Sequence, residues 1–192
     1  KFHKNMILMA KAPKIFHIFM RQPWIKELSK THSSMVALPL LTSPNLKQQL
    51  SGHPAMNMTL EQLEGLSTSE RASCVLVVQD PFTSFYEAQL VNDFVRLIEK
   101  LGHRPVLLPF SPNGKAQHVK GFLQRFARTA ARTADFLNRV AKLELPMAGV
   151  DPATVLCYRD EYRQTPGESR GHFSVLLVHG WLERALDRQS GV

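Results

Sequence analysis

The chain has 192 residues, with 24 Lys plus Arg against 16 Asp plus Glu and a formal charge of +8. That length fits one domain with an arm and excludes a large multidomain enzyme, since domains run to roughly 150 residues. Hydrophobic residues at 44% and charged residues at 21% supply enough apolar surface for a core, which excludes disorder throughout, and 10 Gly with 12 Pro exclude collagen-like character.

The two cysteines, Cys74 and Cys157, cannot make a disulfide framework, nor by themselves a zinc or iron–sulfur site. Free thiols suit a reducing compartment, so the cytoplasm is expected. No apolar run approaches the roughly 20 residues that span a bilayer. Met6 to Ala10 is too short for a signal peptide and is followed by Lys11 and Pro13. The chain opens on Lys1, which leads us to expect a longer parent. Residues 1–70 hold eight Lys or Arg and four Asp or Glu, so each part carries +4 and neither is a basic tail. Nucleic-acid binding is not indicated.

The grammar changes near residue 70. Residues 2–11 and 14–21 read as short helical pieces broken by Pro13. Thr42-Ser43-Pro44-Asn45 and Ser51-Gly52-His53-Pro54 punctuate loops. Thr59 and Gln62 form the two ends of a capping box. Residues 1–70 are therefore read as a helical and looped arm that packs on another part of the parent.

Residues 71–192 read as a small three-layer α/β domain. Val75-Leu76-Val77-Val78 is a continuous apolar run suited to a buried strand. Phe85, Leu90, Val91, Phe94, Val95, Ile98 and Leu101 recur at helical spacing until Gly102. Pro105 to Leu108 predicts a second strand. A long helix is predicted from Lys115 to Leu143, with Val119, Phe122, Phe126, Ala130, Ala134, Leu137 and Ala141 on its core side. Met147 to Val150 predicts a third strand and Val155 to Tyr162 a helix. Phe173 through Leu186 fits a helix better than a strand. Alternating strands and helices imply right-handed crossovers and a short parallel sheet of about three strands, open to a further edge strand.

Asp80-Pro81-Phe82-Thr83 and Asp151-Pro152-Ala153-Thr154 repeat one pattern at strand-to-helix junctions. Asp caps free helix N–H groups there and Pro fits the first helical position. Open parallel sheets bind ligands at the carboxyl ends of their strands, which makes Asp80, Asn113, Gly114 and Asp151 candidate site residues. The plainer reading makes them caps. Lys115 closes Ser111-Pro112-Asn113-Gly114-Lys115, which resembles a phosphate loop but lacks its glycines and its Gly-Lys-Ser/Thr ending. Arg159 and Asp160 stand in a dense charged cluster, where Arg159 is expected to pair with a carboxylate such as Asp80 or Asp151. Arg125, Arg128, Arg132, Arg139 and Lys142 share a helix face, read as solvated or as a docking stripe for an acidic partner. Eight histidines lack metal-ligand spacing, His179 is read as packing near Trp181, and Cys157 as a buried inert thiol. No nucleophile elbow or dinucleotide fingerprint is present.

The run from Gly149 through Asp151-Pro152-Ala153-Thr154 to Arg159-Asp160-Glu161-Tyr162 resembles a segment of the cysteine-rich CCG domains. Those domains occur in heterodisulfide reductase subunits and glycolate-oxidase-type iron–sulfur proteins. With Pro105 to Gly121 and Val175 to Leu182, the span from Val75 to Trp181 resembles the C-terminal region of large bacterial dehydrogenases of D-2-hydroxy acids, nearest the D-2-hydroxyglutarate type. The resemblance implies a parent that carries FAD and a 4Fe-4S cluster and oxidises D-2-hydroxyglutarate or D-lactate-class acids. Flavin takes two electrons and releases them singly to iron–sulfur centres. The FAD and ferredoxin-like domains would lie upstream of Lys1 as partners of this domain. The cluster-ligand pattern is not kept: Thr154 stands where a ligand cysteine would be, no cysteine pair occurs at Ser111 to Gly114, and Phe82 or a neighbour replaces the first-strand cysteine. Thr and Asn cannot replace thiolates. The resemblance thus implies a domain that kept its fold, lost its cluster and has no cofactor, metal or catalytic residue of its own. Two rival readings stand beside it. One is a non-catalytic protein-interaction module. The other is peripheral membrane contact through the basic, apolar residues 1–20, at the inner face of the membrane.

Overall fold

The computed structural model describes residues 41–56, 58–164 and 171–190. The helical pieces expected over 2–11 and 14–21, and the membrane-contact segment 1–20, lie outside them.

Among the described residues four short helical turns come first: α1 (Leu46–Gln49), a 3-10 turn (Pro54–Met56), α2 (Leu60–Glu64) and α3 (Thr68–Ala72). Thr59 Oγ1 accepts from Gln62 N at 3.3 Å and Gln62 Oε1 accepts from Thr59 N at 2.8 Å, the reciprocal capping box the sequence predicts. Leu46, Leu50, Ala55 and Leu63, on the N-terminal side of the change near residue 70, are buried in the cores described next.

The sheet has strands β1 (Cys74–Val78), β2 (Arg104–Leu107), β3 (Met147–Gly149) and β4 (Val175–Leu177), in the order β2-β1-β3-β4. Every pairing is parallel. Central β1 is buried along all five residues, as its apolar run requires. Its side chains alternate between two cores. Cys74, Leu76 and Val78 join Phe126, Ala130, Leu137 and Tyr162 on one face. Val75 and Val77 join Val91, Phe94, Ile98 and Trp181 on the other. Each fully buried Val or Leu contributes about 1.5–3 kcal/mol, so both faces need their helices.

Helix α4 (Pro81–Tyr86) and α5 (Ala88–Lys100) follow β1, α6 (Lys115–Val119) and α7 (Leu123–Ala141) follow β2, α8 (Pro152–Arg159) and α9 (Glu161–Gln164) follow β3, and α10 (Val178–Ser190) follows β4. The α/β class and layered build are as expected; several boundaries are not. The long helix from Lys115 breaks at Gly121, whose φ of +74° only glycine adopts readily. Val119 and Phe122, expected on the core stripe, are consequently 74% and 50% exposed. The stripe holds from Phe126 onward. Phe173 to Leu186 is not one helix: Val175–Leu177 forms the fourth strand, and a helix begins at Val178. Three residues are too few for periodicity to separate strand from buried helix. The helix expected over Val155 to Tyr162 is split at Asp160, and the periodic run after β1 is split at Glu87.

Candidate functional site

From β1 the chain passes outward to β2, then crosses back over the sheet to β3 on the other side of β1. Strand order therefore reverses between β1 and β3, and the loops leaving them diverge at their carboxyl ends. In open parallel sheets that switch point is where ligands bind. Asp80 follows β1 there and Asp151 follows β3.

Each Asp caps a helix in the same way. Asp80 Oδ1 accepts from the Phe82 and Thr83 amides at 2.7 and 3.0 Å, and the Thr83 hydroxyl donates to Oδ2. Asp151 accepts from the Thr154 amide at 2.8 Å and from the Thr154 hydroxyl at 2.7 Å, with Ala153 N at 3.4 Å. The repeated Asp-Pro-x-Thr pattern is thus one cap built twice, its Thr hydroxyl returning to the Asp carboxylate each time.

The β2–α6 loop joins the second cap. Asn113 Nδ2 donates to Thr154 Oγ1 at 2.8 Å, and its Oδ1 accepts from Lys115 N at 3.1 Å. The Tyr162 hydroxyl donates to the Asn113 carbonyl at 2.8 Å. Gly114 takes a φ of +74°, where a Cβ would stand 3.0 Å from the Phe126 ring. The loop is therefore pressed onto α7, further tied by Thr133 Oγ1 to the Pro112 carbonyl at 2.8 Å. Tyr162 sits in an aromatic cluster with Phe126, Tyr158 and Phe173.

The structure thus brings Asp80, Asn113, Asp151 and the backbone of Lys115 to one end of the sheet. It does not bring Arg159 and Asp160 there. Arg159 pairs with its own neighbour, Nε to Asp160 Oδ1 at 3.0 Å, and not with Asp80 or Asp151 as expected. Both side chains are exposed, because α8 ends at Arg159 and turns them outward. Thr83, Thr154 and Tyr162 join the site beyond the residues the sequence predicts for it. The first two are legible in the repeat itself, whereas Tyr162 stands in the sequence only as the end of the Arg159-Asp160-Glu161-Tyr162 run, with nothing local to point to Asn113. His179 is exposed, and it is His103 whose ring lies 5.9 Å from Trp181.

Burial pushes the Asp80 carboxyl above the ordinary value, and the Asp151 charge adds to the rise against the opposing hydrogen bonds from Thr83 and Phe82. Burial likewise pushes the Cys157 thiol up to about 12, the Glu161 charge contributing. The crevice between the two caps, closed by Val78, Gly149, Val155 and Tyr158, holds no water-sized void. These residues do not fit a flavin, for which there is no space. Nor do they fit an iron–sulfur cluster: hydroxyl, amide and carboxylate groups face one another where thiolates would be needed, and both cysteines are buried. Among the described residues no group of three or more His, Cys, Asp or Glu could hold a metal ion, and no helix is long and apolar enough to cross a membrane.

Comparison with known proteins gives one consistent result. Over 182 residues the chain is 76% identical to a D-2-hydroxyglutarate dehydrogenase of Pantoea ananatis and 65% identical to one of Escherichia coli. Over 178 residues it is 50% identical to one of Haemophilus influenzae. The first two matches cover 95% of this chain, but the chain spans only 18% of those relatives' length. No family model and no solved structure matches. Along nearly all of its length, the chain is similar to one segment of these D-2-hydroxyglutarate dehydrogenases.

Proposed function

We propose that these residues form a structural and docking domain of a larger oxidoreductase that oxidises D-2-hydroxyglutarate, or a D-lactate-class 2-hydroxy acid, to the 2-oxo acid. The observation that carries this reading is 76% identity over 95% of the chain to a protein of that name. FAD and a 4Fe-4S cluster, with the electron acceptor they serve, belong in this reading to parts of the parent outside these 192 residues. The upstream FAD and ferredoxin-like domains are then the partners of this one. The cytoplasm, at or near the inner face of the membrane, is the proposed location.

The role within the parent follows from the site. A crevice without room for a ligand, whose two cap carboxylates are already bonded, positions no reacting atom. What it does is fix three loops at one end of the sheet. The full-length protein should reduce an artificial electron acceptor with D-2-hydroxyglutarate and carry flavin and iron. The 192-residue chain alone should be colourless, iron-free and inactive. Turnover by this chain alone, or stoichiometric iron bound to it, would contradict the assignment.

The interaction-module reading keeps one specific support. Arg125, Arg128, Arg132, Arg139 and Lys142 are all exposed along α7, interrupted by Asp135. Binding of the isolated chain to a separate acidic protein, weakening with added salt, would favour it.

A further inference from the structure

Seven consecutive residues, Val119 to Arg125, are exposed where α6 gives way to α7 at Gly121. Three of them are large and apolar: Val119, Phe122 and Leu123 are 74%, 50% and 59% exposed. Side chains exposed by half or more at a tight turn between two helices project outward, so the corner is convex. A contiguous apolar cluster rimmed by polar groups marks a contact with a protein or a membrane.

The charges that rim this corner are of one sign. From Lys100 through Ala134 the sequence holds seven Lys or Arg and no Asp or Glu. Lys120 and Arg125 flank the apolar residues, and Arg128 and Arg132 continue along the exposed face of α7. None of these four pairs with a carboxylate among the described residues. Arg125 lies over the Phe122 ring, its Cζ 5.3 Å from the centroid, so a charge and an apolar ring share one place on the surface. Two acids come near: Glu161 Oε1 stands 3.8 Å from His118 Nδ1, and Asp135 follows Arg132 by about one turn of α7.

We propose that this corner docks on an anionic lipid surface. Val119, Phe122 and Leu123 enter the boundary between headgroups and acyl chains, and Lys120, Arg125, Arg128 and Arg132 meet the lipid phosphates. Charge and shape together favour lipid over a partner protein. A protein interface must set a carboxylate against each cation that it buries, or leave that charge uncompensated. Mobile headgroups come to the cations wherever they stand, here along about 10 Å of α7 beyond the corner. A convex apolar corner needs a matching pocket in a protein but only a yielding layer in a membrane. The long Lys and Arg side chains keep their charges at headgroup level while the apolar residues go deeper. The inference rests on the proposed location near the inner face of the membrane, and gives that location a contact within the described residues.

The test uses the full-length protein with vesicles of phosphatidylcholine, alone or mixed with phosphatidylglycerol. The protein should sediment with the anionic vesicles and not with the neutral ones, and less so as salt is added. The double substitution Phe122→Ser/Leu123→Ser, on two exposed side chains, should weaken binding on the order of ten-fold or more, with the urea midpoint unchanged. Hydrogen exchange at residues 119–125 should be fast in the free protein and slow once anionic vesicles are added. Equal binding to neutral vesicles, or binding indifferent to the double substitution, would overturn the proposal. Slow exchange at 119–125 before any vesicle is added would also overturn it, because the rest of the polypeptide or a protein partner then covers the corner. Binding that survives the double substitution but falls when the Lys and Arg of residues 1–20 are neutralised removes the corner and leaves the location. Binding to neither vesicle removes both. Turnover of D-2-hydroxyglutarate by the same samples tests the dehydrogenase reading separately.

Discussion

The bond network around Thr154 makes a quantitative test of how the three loops are held. Its hydroxyl donates to Asp151 at 2.7 Å and accepts from the Asn113 amide at 2.8 Å. Thr154 is 4% exposed and Asn113 3%, so water cannot replace either partner. Thr154→Val keeps the shape and removes both bonds. One lost intramolecular bond costs about 1 kcal/mol, and the orphaned Asn113 donor adds about 1–3 kcal/mol, for about 2–4 kcal/mol in all. Thr154→Ser keeps the hydroxyl and loses only a methyl, about 1 kcal/mol. Urea unfolding of the two variants, followed by circular dichroism, measures the difference as a shift in midpoint at constant slope. If Thr154→Val costs no more than Thr154→Ser, the hydroxyl does not join the loops and the reasoning fails.

Three further outcomes are expected. Because the folded-state value of Asp80 is raised, the native state holds that proton to higher pH than the unfolded chain does. Its contribution to stability is therefore complete below the unfolded carboxylate value and is lost as pH rises through the folded one, and Asp80→Asn should flatten the stability–pH curve in that window; an unchanged slope would refute the assignment. Gly114→Ala and Gly121→Ala both place a side chain at a φ of +74°, costing about 1–2 kcal/mol. Only at Gly114 does the new Cβ meet Phe126 at 3.0 Å, so thermal melting should show Gly114→Ala as the more damaging; equal shifts would argue against that close approach. Cys157, with its thiol pushed up to about 12, should resist a thiol reagent in mildly alkaline buffer until denaturant is added, and rapid native labelling would contradict its burial.

Long periodic signals translate into this fold, and short ones do not. Val75 to Val78 is read correctly because a strand buried on both faces must be apolar throughout. The stripe from Phe126 to Leu137 is read correctly because a helix of 19 residues gives periodicity room to show. The break at Gly121 is missed because Val119 and Phe122 fall in phase with that stripe on either side of it. Strand β4 is missed because three residues carry no period, and because Val178 onward is helical and draws the reading with it. At the candidate site, Asp80 and Asp151 are legible because Asp-Pro marks a helix start by itself. Arg159 is misassigned because a pairing partner depends on where α8 ends, which only packing sets. Tyr162 reaches the Asn113 carbonyl across 49 positions of sequence, and no local pattern encodes that.

The two caps explain how this fold closes the crevice that its topology opens. A reversal of strand order opens a crevice between the loops after β1 and β3, and in this chain both loops begin Asp-Pro-x-Thr. Each Thr returns its hydroxyl to its own Asp, so both cap carboxylates are bonded before any ligand arrives. Asn113 then joins the third loop to Thr154, and Tyr158 and Val155 fill what remains. The same tight approach follows from Gly149, where a Cβ would stand 3.0 Å from Val155. A crevice closed by its own side chains makes the sheet end rigid, and a rigid end presents its flanking surfaces in fixed positions. Those surfaces include the basic face of α7, where Arg125, Arg128, Arg132 and Arg139 are exposed.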